Sequence, residues 1–173
     1  MAEKKERSVL ERMVCLLSRR NYSKMELRQK FSDREKYTRP QVEQAIAYLE
    51  QKGYINDLRY AADCVRVWQG RHYGPIKIRN KLREKGIRAE QITAVMTDAA
   101  EEMESGNPTL DLAVDLLMER SKRLLSEQDF QKRKAKALRL LASRGFPGSI
   151  AFQAFDEWKK QSAADCDRQF EQD

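Results

Sequence analysis

The chain has 173 residues, of which 35% are charged and 40% are hydrophobic, with 7 glycines and 4 prolines. This composition suits amphipathic helices better than a β-sandwich or a disordered tail and predicts an all-α fold. Lys and Arg total 34 against 27 Asp and Glu, and the resulting formal net charge of +7 fits either a polyanionic or acidic partner or simple solubility.

Three cysteines, Cys15, Cys64 and Cys166, lie far apart and show no spacing typical of a zinc site or a redox pair. They are interpreted as reduced thiols. The first 20 residues lack the apolar core of a signal peptide, and no run of about 18 apolar residues occurs. These features predict a cytoplasmic protein that does not enter a membrane.

The first third of the chain carries two capping boxes, in which a hydroxyl and a side-chain oxygen satisfy free N–H groups of a helix start. Ser23 with Glu26 forms one, and Thr38 with Gln41 forms the other. Gly53 ends the last helix of this part, since glycine accepts the left-handed conformation. The predicted helices lie near 8–20, 24–34 and 39–52.

The middle of the chain predicts three more helices, near 57–71, 75–85 and 89–103. Asn56 or Asp57 can cap the first of them. Pro75 suits the first turn of the second helix, where its missing N–H costs nothing, and Gly86 ends it.

The last third predicts a further three helices, which brings the total to nine. Asn107 caps the first, Ser126 caps the second and Gly145 ends the second. The last helix follows Ser149 and ends near Gln161, after which the tail is expected to fray.

The chain is similar to itself at two offsets. At 51 residues, 19–31 aligns with 70–82, and at 59 residues, 85–87 aligns with 144–146. Tandem repeats of three helices explain this, although chance similarity between two basic helices is the alternative. Stacked repeats predict an elongated, curved body. The predicted repeats are 1–53, 54–104 and 105–161, followed by the frayed tail 162–173.

The positive charge is concentrated between Leu58 and Ala89, where nine basic and two acidic residues account for the whole net charge. Ile78 and Leu82 form the apolar seam of the central helix there, with cations on both flanks. Together with two aromatic residues, these cations are the candidates for contact with a partner protein or DNA: Arg59, Tyr60, Arg66, Arg71, Tyr73, Lys77, Arg79, Lys81, Arg83, Lys85 and Arg88.

Aromatic residues interleave with this basic segment, and rings beside cations can stack on bases or on an apolar patch of a partner. Tyr60 and Tyr73 fit such a role, whereas Trp68 is expected to pack in the core. A second basic run is either a solvated helix face or a weaker contact surface: Lys132, Arg133, Lys134, Lys136 and Arg139.

Catalytic groups are scarce. The one histidine, His72, is expected in a surface turn, and no nucleophile motif, phosphate-binding loop or metal-ligand spacing accompanies it. The sequence therefore predicts a protein that is not an enzyme and holds no cofactor or metal.

The segment 53–87 resembles the RecX family, with 26–31 as an earlier echo. The resemblance rests on a Gly-aromatic turn, an Arg-rich stretch that closes on Gly-Pro and a Lys-Gly-Ile helix end. The residues in those positions are Gly53, Tyr54, Asp57, Arg59, Tyr60, Arg71, Gly74, Pro75, Leu82, Lys85, Gly86 and Ile87.

Membership of this family implies tandem three-helix repeats and binding along the groove of the RecA–DNA filament, where filament growth, ATPase and strand exchange are limited. The implied protein is a monomeric regulator of DNA repair and recombination that can also touch single- or double-stranded DNA. Asn56, Lys77 and Lys81 depart from the family pattern, which puts in doubt contacts that need an Arg fork or a carboxylate at Lys77 and Lys81.

A different class of function stays open. The segment 41–55 resembles the recognition-helix end of a winged-helix or helix-turn-helix protein, which would bind DNA on its own. No hairpin signal follows Asn56, and this argues against a wing.

Overall fold

The computed structural model describes residues 8–32, 36–102 and 106–170, with only the backbone described over 163–170. Within these ranges the chain forms helices and no strand, which confirms the all-α fold class. The helices are α1 (Val9–Leu17), α2 (Lys24–Ser32), α3 (Arg39–Gln51), α4 (Asp57–Gln69), α5 (Pro75–Glu84), α6 (Ala89–Glu101), α7 (Pro108–Glu119), α8 (Ser121–Leu125), α9 (Phe130–Arg144) and α10 (Gly148–Phe170).

The predicted helix boundaries are confirmed at most positions. The Glu26 N–H donates to Ser23 Oγ at 3.1 Å, and the Ser23 N–H donates to Glu26 Oε2 at 3.3 Å, so the capping box is closed. The glycines predicted to end helices, Gly53, Gly86 and Gly145, have φ of 76°, 74° and 86°. Only glycine adopts this conformation without strain.

The third part of the chain departs from the prediction in two places. Ser126 follows the short extra helix α8 as its C-cap, and Asp129 caps α9 instead, because its Oδ1 accepts from the Gln131 and Lys132 N–H groups at 2.8 and 3.1 Å. The last helix continues to Phe170, so the tail predicted to fray is helical as far as that residue. Its final residues, 171–173, lie outside the described residues.

The structure also decides between Asn56 and Asp57 as the cap of α4. Asn56 Oδ1 accepts from the Arg59 N–H at 3.0 Å and is therefore the cap. The buried carboxylate of Asp57 turns to a different helix, where it accepts from the Lys24 N–H at 2.9 Å. A carboxylate at a helix N-terminus compensates the partial positive charge there.

The described residues divide into two compact units. The first comprises those up to Cys64 together with Leu82–Val95, and the second comprises Val65–Lys81 with those from Met96 onward. In the first unit, α1 and α2 pack on α3 over a core that includes Met13, Leu27, Phe31, Ile46 and Leu49. In the second, α7 and α9 pack on α10 over a core that includes Leu116, Leu117, Leu141, Phe155 and Trp158.

Each unit contains one helix start that meets one helix end. In the first, Ser23 Oγ donates to the carbonyl oxygen of Lys85 at 2.7 Å. In the second, the Gly74 N–H donates to the carbonyl oxygen of Arg144 at 2.8 Å. These four residues are equivalent at the two offsets of the internal similarity. A repeated contact at matching positions favours true repeats over chance, while the repeat boundaries themselves stay a prediction.

Candidate partner-binding surface

Helix α5 carries the apolar seam and the flanking cations that the sequence places there. Ile78 and Leu82 are 1% and 0% exposed, which confirms that the helix docks through this seam. Arg79 and Arg83 are exposed, whereas Lys77 and Lys81 on the other flank are half-buried. The two flanks therefore differ in how far their charges can reach a partner.

A cation–aromatic cluster occupies the second unit and consists of Trp68, Tyr73, Lys77, Lys81 and Arg144. Lys77 Nζ lies 4.7 Å and Lys81 Nζ 5.7 Å from the centre of the Tyr73 ring, and the Arg144 guanidinium lies 5.5 Å from it. Lys81 Nζ also lies 5.5 Å from the Trp68 ring. Cations attract the negative faces of aromatic rings at these distances, so charges and rings hold each other in place.

Trp68 differs from its predicted place in the core. The ring is half-buried, and the Lys81 ammonium covers it. The prediction missed this because helical spacing puts Trp68 beside buried residues but does not tell whether another helix covers its outer edge.

Two backbone contacts anchor the cluster. Lys77 Nζ donates to the carbonyl oxygen of Ser143 at 3.0 Å, and Arg144 Nη1 donates to the carbonyl oxygen of Arg71 at 3.1 Å. Lys77 and Arg144 are thereby fixed in position while their charges are not neutralised by these neutral acceptors. The side chain of Arg71 itself is exposed, as is that of Arg66.

In the first unit, Lys85 has a structural role. Its Nζ lies 2.7 Å from Oε1 of Glu26, a side chain that is 11% exposed, and Arg20 Nη2 lies 3.6 Å from the same oxygen. Burial raises the pKa of Glu26, but hydrogen bonds from Lys85 and the Ser23 N–H, together with the two positive charges, outweigh burial and lower the pKa below its ordinary value. Lys85 is therefore held by an ionised partner within its own unit.

Tyr60, one of the predicted contact residues, is 6% exposed and so does not belong to an exposed contact surface. Burial raises the pKa of its hydroxyl, and neighbouring Cys64 and Glu26 raise it further. Burial likewise raises the pKa of Cys64. The sequence pattern predicts an exposed Tyr60 because its hydroxyl tolerates contact with water. The same hydroxyl is tolerated equally well at a buried polar position, so the pattern does not distinguish the two. The other predicted contact residues of this unit, Arg59, Arg83 and Arg88, are exposed.

The second basic run lies on α9, and the structure separates its members. Arg133 donates to the carbonyl oxygens of Glu127 and Gln128, and Lys134 lies 5.5 Å from the centre of the Phe152 ring. The run also contains Lys132, whose Nζ lies 3.9 Å from Asp129 Oδ2, and Lys136 and Arg139. Lys136 and Arg139 line a groove.

That groove has a volume of about 440 Å³ and was not predicted from the sequence. It joins Lys136 and Arg139 to three cations that lie outside both predicted basic segments. Lys136 and Arg139 are three residues apart on α9, and this spacing puts both on one helix face. Arg120 lies at the junction of α7 and α8, and Arg123 lies on α8. No sequence signal shows that these residues meet. The lining residues are Arg120, Arg123, Leu124, Lys136, Arg139, Leu140, Ser143 and Arg144.

His72 lies in the turn between α4 and α5, as predicted, with a φ of 53° and its Nδ1 3.6 Å from Glu119 Oε2. Among the described residues, no group of three or more His, Cys, Asp and Glu could hold a metal ion. None of the helices within the described ranges has the length and hydrophobicity of a membrane-spanning segment.

The sequence of this chain is similar to those of known proteins from one family. Residues 56–96 match the family domain described as "RecX, second three-helix domain". The chain is 31% identical over 140 residues to the "Regulatory protein RecX" of Thermus thermophilus, covering 81% of this chain and 84% of the relative. It is 34% identical over 149 residues to that of Xanthomonas campestris, covering 84% of each chain. The chain belongs to the RecX family.

Solved RecX structures agree with this membership. One, described as "Crystal structure of regulatory protein RecX", superposes with a TM-score of 0.73 at 26% identity, covering 86% of this chain and 71% of the other. The crystal structure of RecX from Lactobacillus salivarius also superposes with a TM-score of 0.73, at 19% identity, covering 87% of this chain and 94% of the other. At this level of identity the likeness shows the fold alone. The resemblance of 53–87 to the RecX family is thus confirmed, and the relatives are named as regulatory proteins.

Proposed function

We propose that this RecX-family chain binds the RecA recombinase filament and limits its assembly, ATPase and strand exchange. The observation that carries the proposal is the exposed flank of α5, where Arg79 stands beside a seam that is buried within the protein. Arg71 and Arg66 are exposed in the same unit. A filament that contains DNA is a polyanion, and several separate contacts give it a combined affinity that none has alone.

The cation–aromatic cluster supports this use of α5. Lys77 and Lys81 lie against rings, so their positive charge is fixed close to the helix surface. Arg71 and Arg79 are exposed arginines, whose planar forks suit carboxylates and phosphates. We therefore assign direct contacts with the filament to Arg71 and Arg79 and a positioning role to the two lysines. In this proposal the chain acts as a cytoplasmic monomer without a cofactor.

The winged-helix alternative loses support. Residues 8–32, 36–102 and 106–170 contain no strand, and α4 begins at Asp57, where a wing would follow. We therefore propose DNA contact as an accessory to regulation rather than as the whole function.

The test is the ATPase of RecA on single-stranded DNA, with the chain added at near-stoichiometric amounts. We expect inhibition by the unchanged chain. The Arg71→Glu/Arg79→Glu variant should need roughly tenfold more protein for half-inhibition, because each reversed charge repels the filament. Lys122→Glu/Lys160→Glu is the matched control, since it alters charge equally at two other exposed positions of the same unit. Absence of inhibition by the unchanged chain, or equal loss in both variants, would contradict the proposal.

A further inference from the structure

The groove between α8 and α9 concentrates positive charge in a small volume of about 440 Å³. Its cations are Arg120, Arg123, Lys136, Arg139 and Arg144, and among the described residues no acidic one lines it. Like charges in so small a space repel one another and cost stability, unless anionic groups lie between them. The groove therefore favours a ligand that carries several negative charges.

These cations are fixed in position but not neutralised. Lys136 Nζ donates to the carbonyl oxygen of Arg123 at 3.2 Å, and Arg144 Nη1 donates to that of Arg71 at 3.1 Å. Both acceptors are neutral. Among the side chains that the structure describes, no carboxylate forms an ion pair with any of the five cations, and Glu119 approaches His72 instead. Their positive charge is thus left for a ligand.

A sixth cation lies beside the groove. Ser143 lines the groove, and its carbonyl oxygen accepts from Lys77 Nζ at 3.0 Å. Lys77 Nζ and the Arg144 guanidinium lie 4.7 and 5.5 Å from the centre of the Tyr73 ring. All of these residues belong to the second unit. The field of the groove therefore extends past Ser143 toward α5.

We infer that this groove binds a chain of linked phosphates, as in a nucleoside triphosphate or inorganic tripolyphosphate. Every phosphate of such a chain is charged and no uncharged unit separates its neighbours, which matches five cations in one groove. Each arginine fork can bind two oxygens of one phosphate, and Lys136 adds a point charge. Sites for small ligands measure roughly 300–1,000 Å³, a range that includes this groove.

The apolar part of the lining favours the nucleotide over inorganic tripolyphosphate. Leu124 is buried and Leu140 is half-buried, so Leu140 offers apolar surface that a base or sugar can cover. Guanidinium planes can also stack on a base. Tripolyphosphate has neither group, and we therefore expect it to bind more weakly than ATP.

The free nucleotide should fit better than its magnesium complex. Mg²⁺ bound to phosphates is usually held by one or two protein carboxylates as well. The lining contains no acidic residue, so nothing there can share the metal, whose charge would repel the arginines.

An acidic peptide is the competing ligand for a groove of arginines. Its carboxylates carry one charge each on separate flexible side chains, and several of them must be ordered to place as many charges. Linked phosphates hold their charges on one short backbone. The inference goes beyond the regulation of RecA, and its test contains no RecA, so each can fail without the other.

The test is isothermal titration calorimetry of the full chain with ATP in the presence of EDTA. Arg123→Gln/Arg139→Gln should weaken binding at least roughly tenfold, because charge-assisted hydrogen bonds from two forks are lost. Lys122→Gln/Lys160→Gln removes equal charge at two exposed positions outside the groove and should lose less than about twofold. Circular dichroism verifies that each variant is folded.

A milder variant separates charge from geometry. Arg123→Lys/Arg139→Lys keeps both positive charges but removes the forks, and we expect its affinity for ATP to lie between those of the unchanged chain and Arg123→Gln/Arg139→Gln. Equal losses in the groove and control variants, or full binding by Arg123→Gln/Arg139→Gln, would overturn the inference.

The choice of ligand tests the chemistry of the site. AMP, with one phosphate, should bind at least roughly tenfold more weakly than ATP, because fewer charges face the same cations. Excess Mg²⁺ should weaken ATP binding. Tighter binding of ATP than of tripolyphosphate identifies the nucleotide as the ligand, and equal binding identifies the phosphate chain alone. Binding of AMP as tight as that of ATP, tighter binding with Mg²⁺, or stronger displacement by polyglutamate than by tripolyphosphate would overturn the inference.

Discussion

A Cβ atom on Gly74 would overlap the main chain of Gly145. The Gly74 N–H donates to the carbonyl oxygen of Arg144 at 2.8 Å, and the Ile76 N–H donates to that of Gly145 at 3.1 Å. The start of α5 thus meets the end of α9 directly, and the free N–H groups of one helix satisfy the free carbonyls of the other. Opposite helix ends also carry opposite partial charges, so their approach is favourable.

We expect Gly74→Ala to destabilise the protein by about 1–3 kcal/mol, because the added methyl group would overlap main-chain atoms of Gly145 and Phe146, which cannot turn aside as a flexible side chain would. The free energy of unfolding, measured with urea, checks this. Gly148→Ala is the control, since nothing lies within 4 Å of its Cβ position and alanine favours the helix that begins there. Equal stability of Gly74→Ala and the unchanged chain would show that α5 and α9 do not meet as described.

The Glu26–Lys85 pair predicts a pH-dependent stability. The folded-state pKa of Glu26 lies below its ordinary 4.5, so its ionised form stabilises the fold above that pH, and this contribution is lost as pH falls through the lower folded-state pKa. Glu26→Gln should cost about 1.5–3 kcal/mol at pH 7, since hydrogen bonds to a charged group are removed. The cost should shrink steadily below pH 4.5.

Unfolding curves of both proteins at several pH values measure this difference. Glu43→Gln is the control, because the Glu43–Arg28 pair is exposed on both sides and should contribute less than about 1 kcal/mol. A cost of Glu26→Gln that stays constant from pH 7 to the acid range would contradict the role of the carboxylate.

Asp57 should stabilise α2 from another helix. Asp57→Ala removes the acceptor of the Lys24 N–H and the ion pair with Lys24 Nζ at 3.8 Å, and we expect a loss of about 1–2 kcal/mol. Thermal unfolding followed by circular dichroism measures it. Asp98→Ala alters an exposed aspartate of α6 and should stay within about 0.5 kcal/mol of the unchanged chain. Similar losses of stability in Asp57→Ala and Asp98→Ala would mean that Asp57 does not cap α2.

The two tryptophans should differ in fluorescence. Trp68 is half-buried beneath Lys81, whereas Trp158 is 1% exposed and donates from Nε1 to Ser121 Oγ at 3.2 Å. Trp68→Phe should therefore shift the emission to shorter wavelength and remove most of the quenching by acrylamide, a neutral quencher that the cations neither attract nor repel. If the variant is quenched as strongly as the unchanged chain, Trp68 is as buried as Trp158.

Much of the fold follows from local sequence signals. Glycines that end helices and hydroxyls that cap them act within four residues, so Gly53, Gly86 and the Ser23–Glu26 box are correctly predicted. Ser8 and Glu11 carry the same kind of signal at the start of α1, where both hydrogen bonds of a capping box are present. The prediction that Ser126 caps α9 is wrong, because Ser126 and Asp129 compete near one helix start and only the geometry of the turn selects Asp129.

The candidate surface could be predicted in part. Helical spacing correctly places Ile78 and Leu82 on the buried face of α5 and Arg79 on an exposed one. Spacing alone does not show which side chains of other helices approach. Tyr60 is therefore buried in the first unit, and the partly exposed Lys85 is held by Glu26, although the sequence pattern grouped both with the exposed cations.

The sequence by itself determined the helical class, most helix ends, the internal similarity and the family, because these depend on residues close together in the chain or on a matching pattern. Only the tertiary structure decided that Gly74 meets Gly145, that Lys81 covers Trp68 and that Arg120 and Arg123 share a groove with Arg139. Such contacts join residues that are distant in sequence, and their distances depend on how whole helices pack. No local pattern encodes that packing.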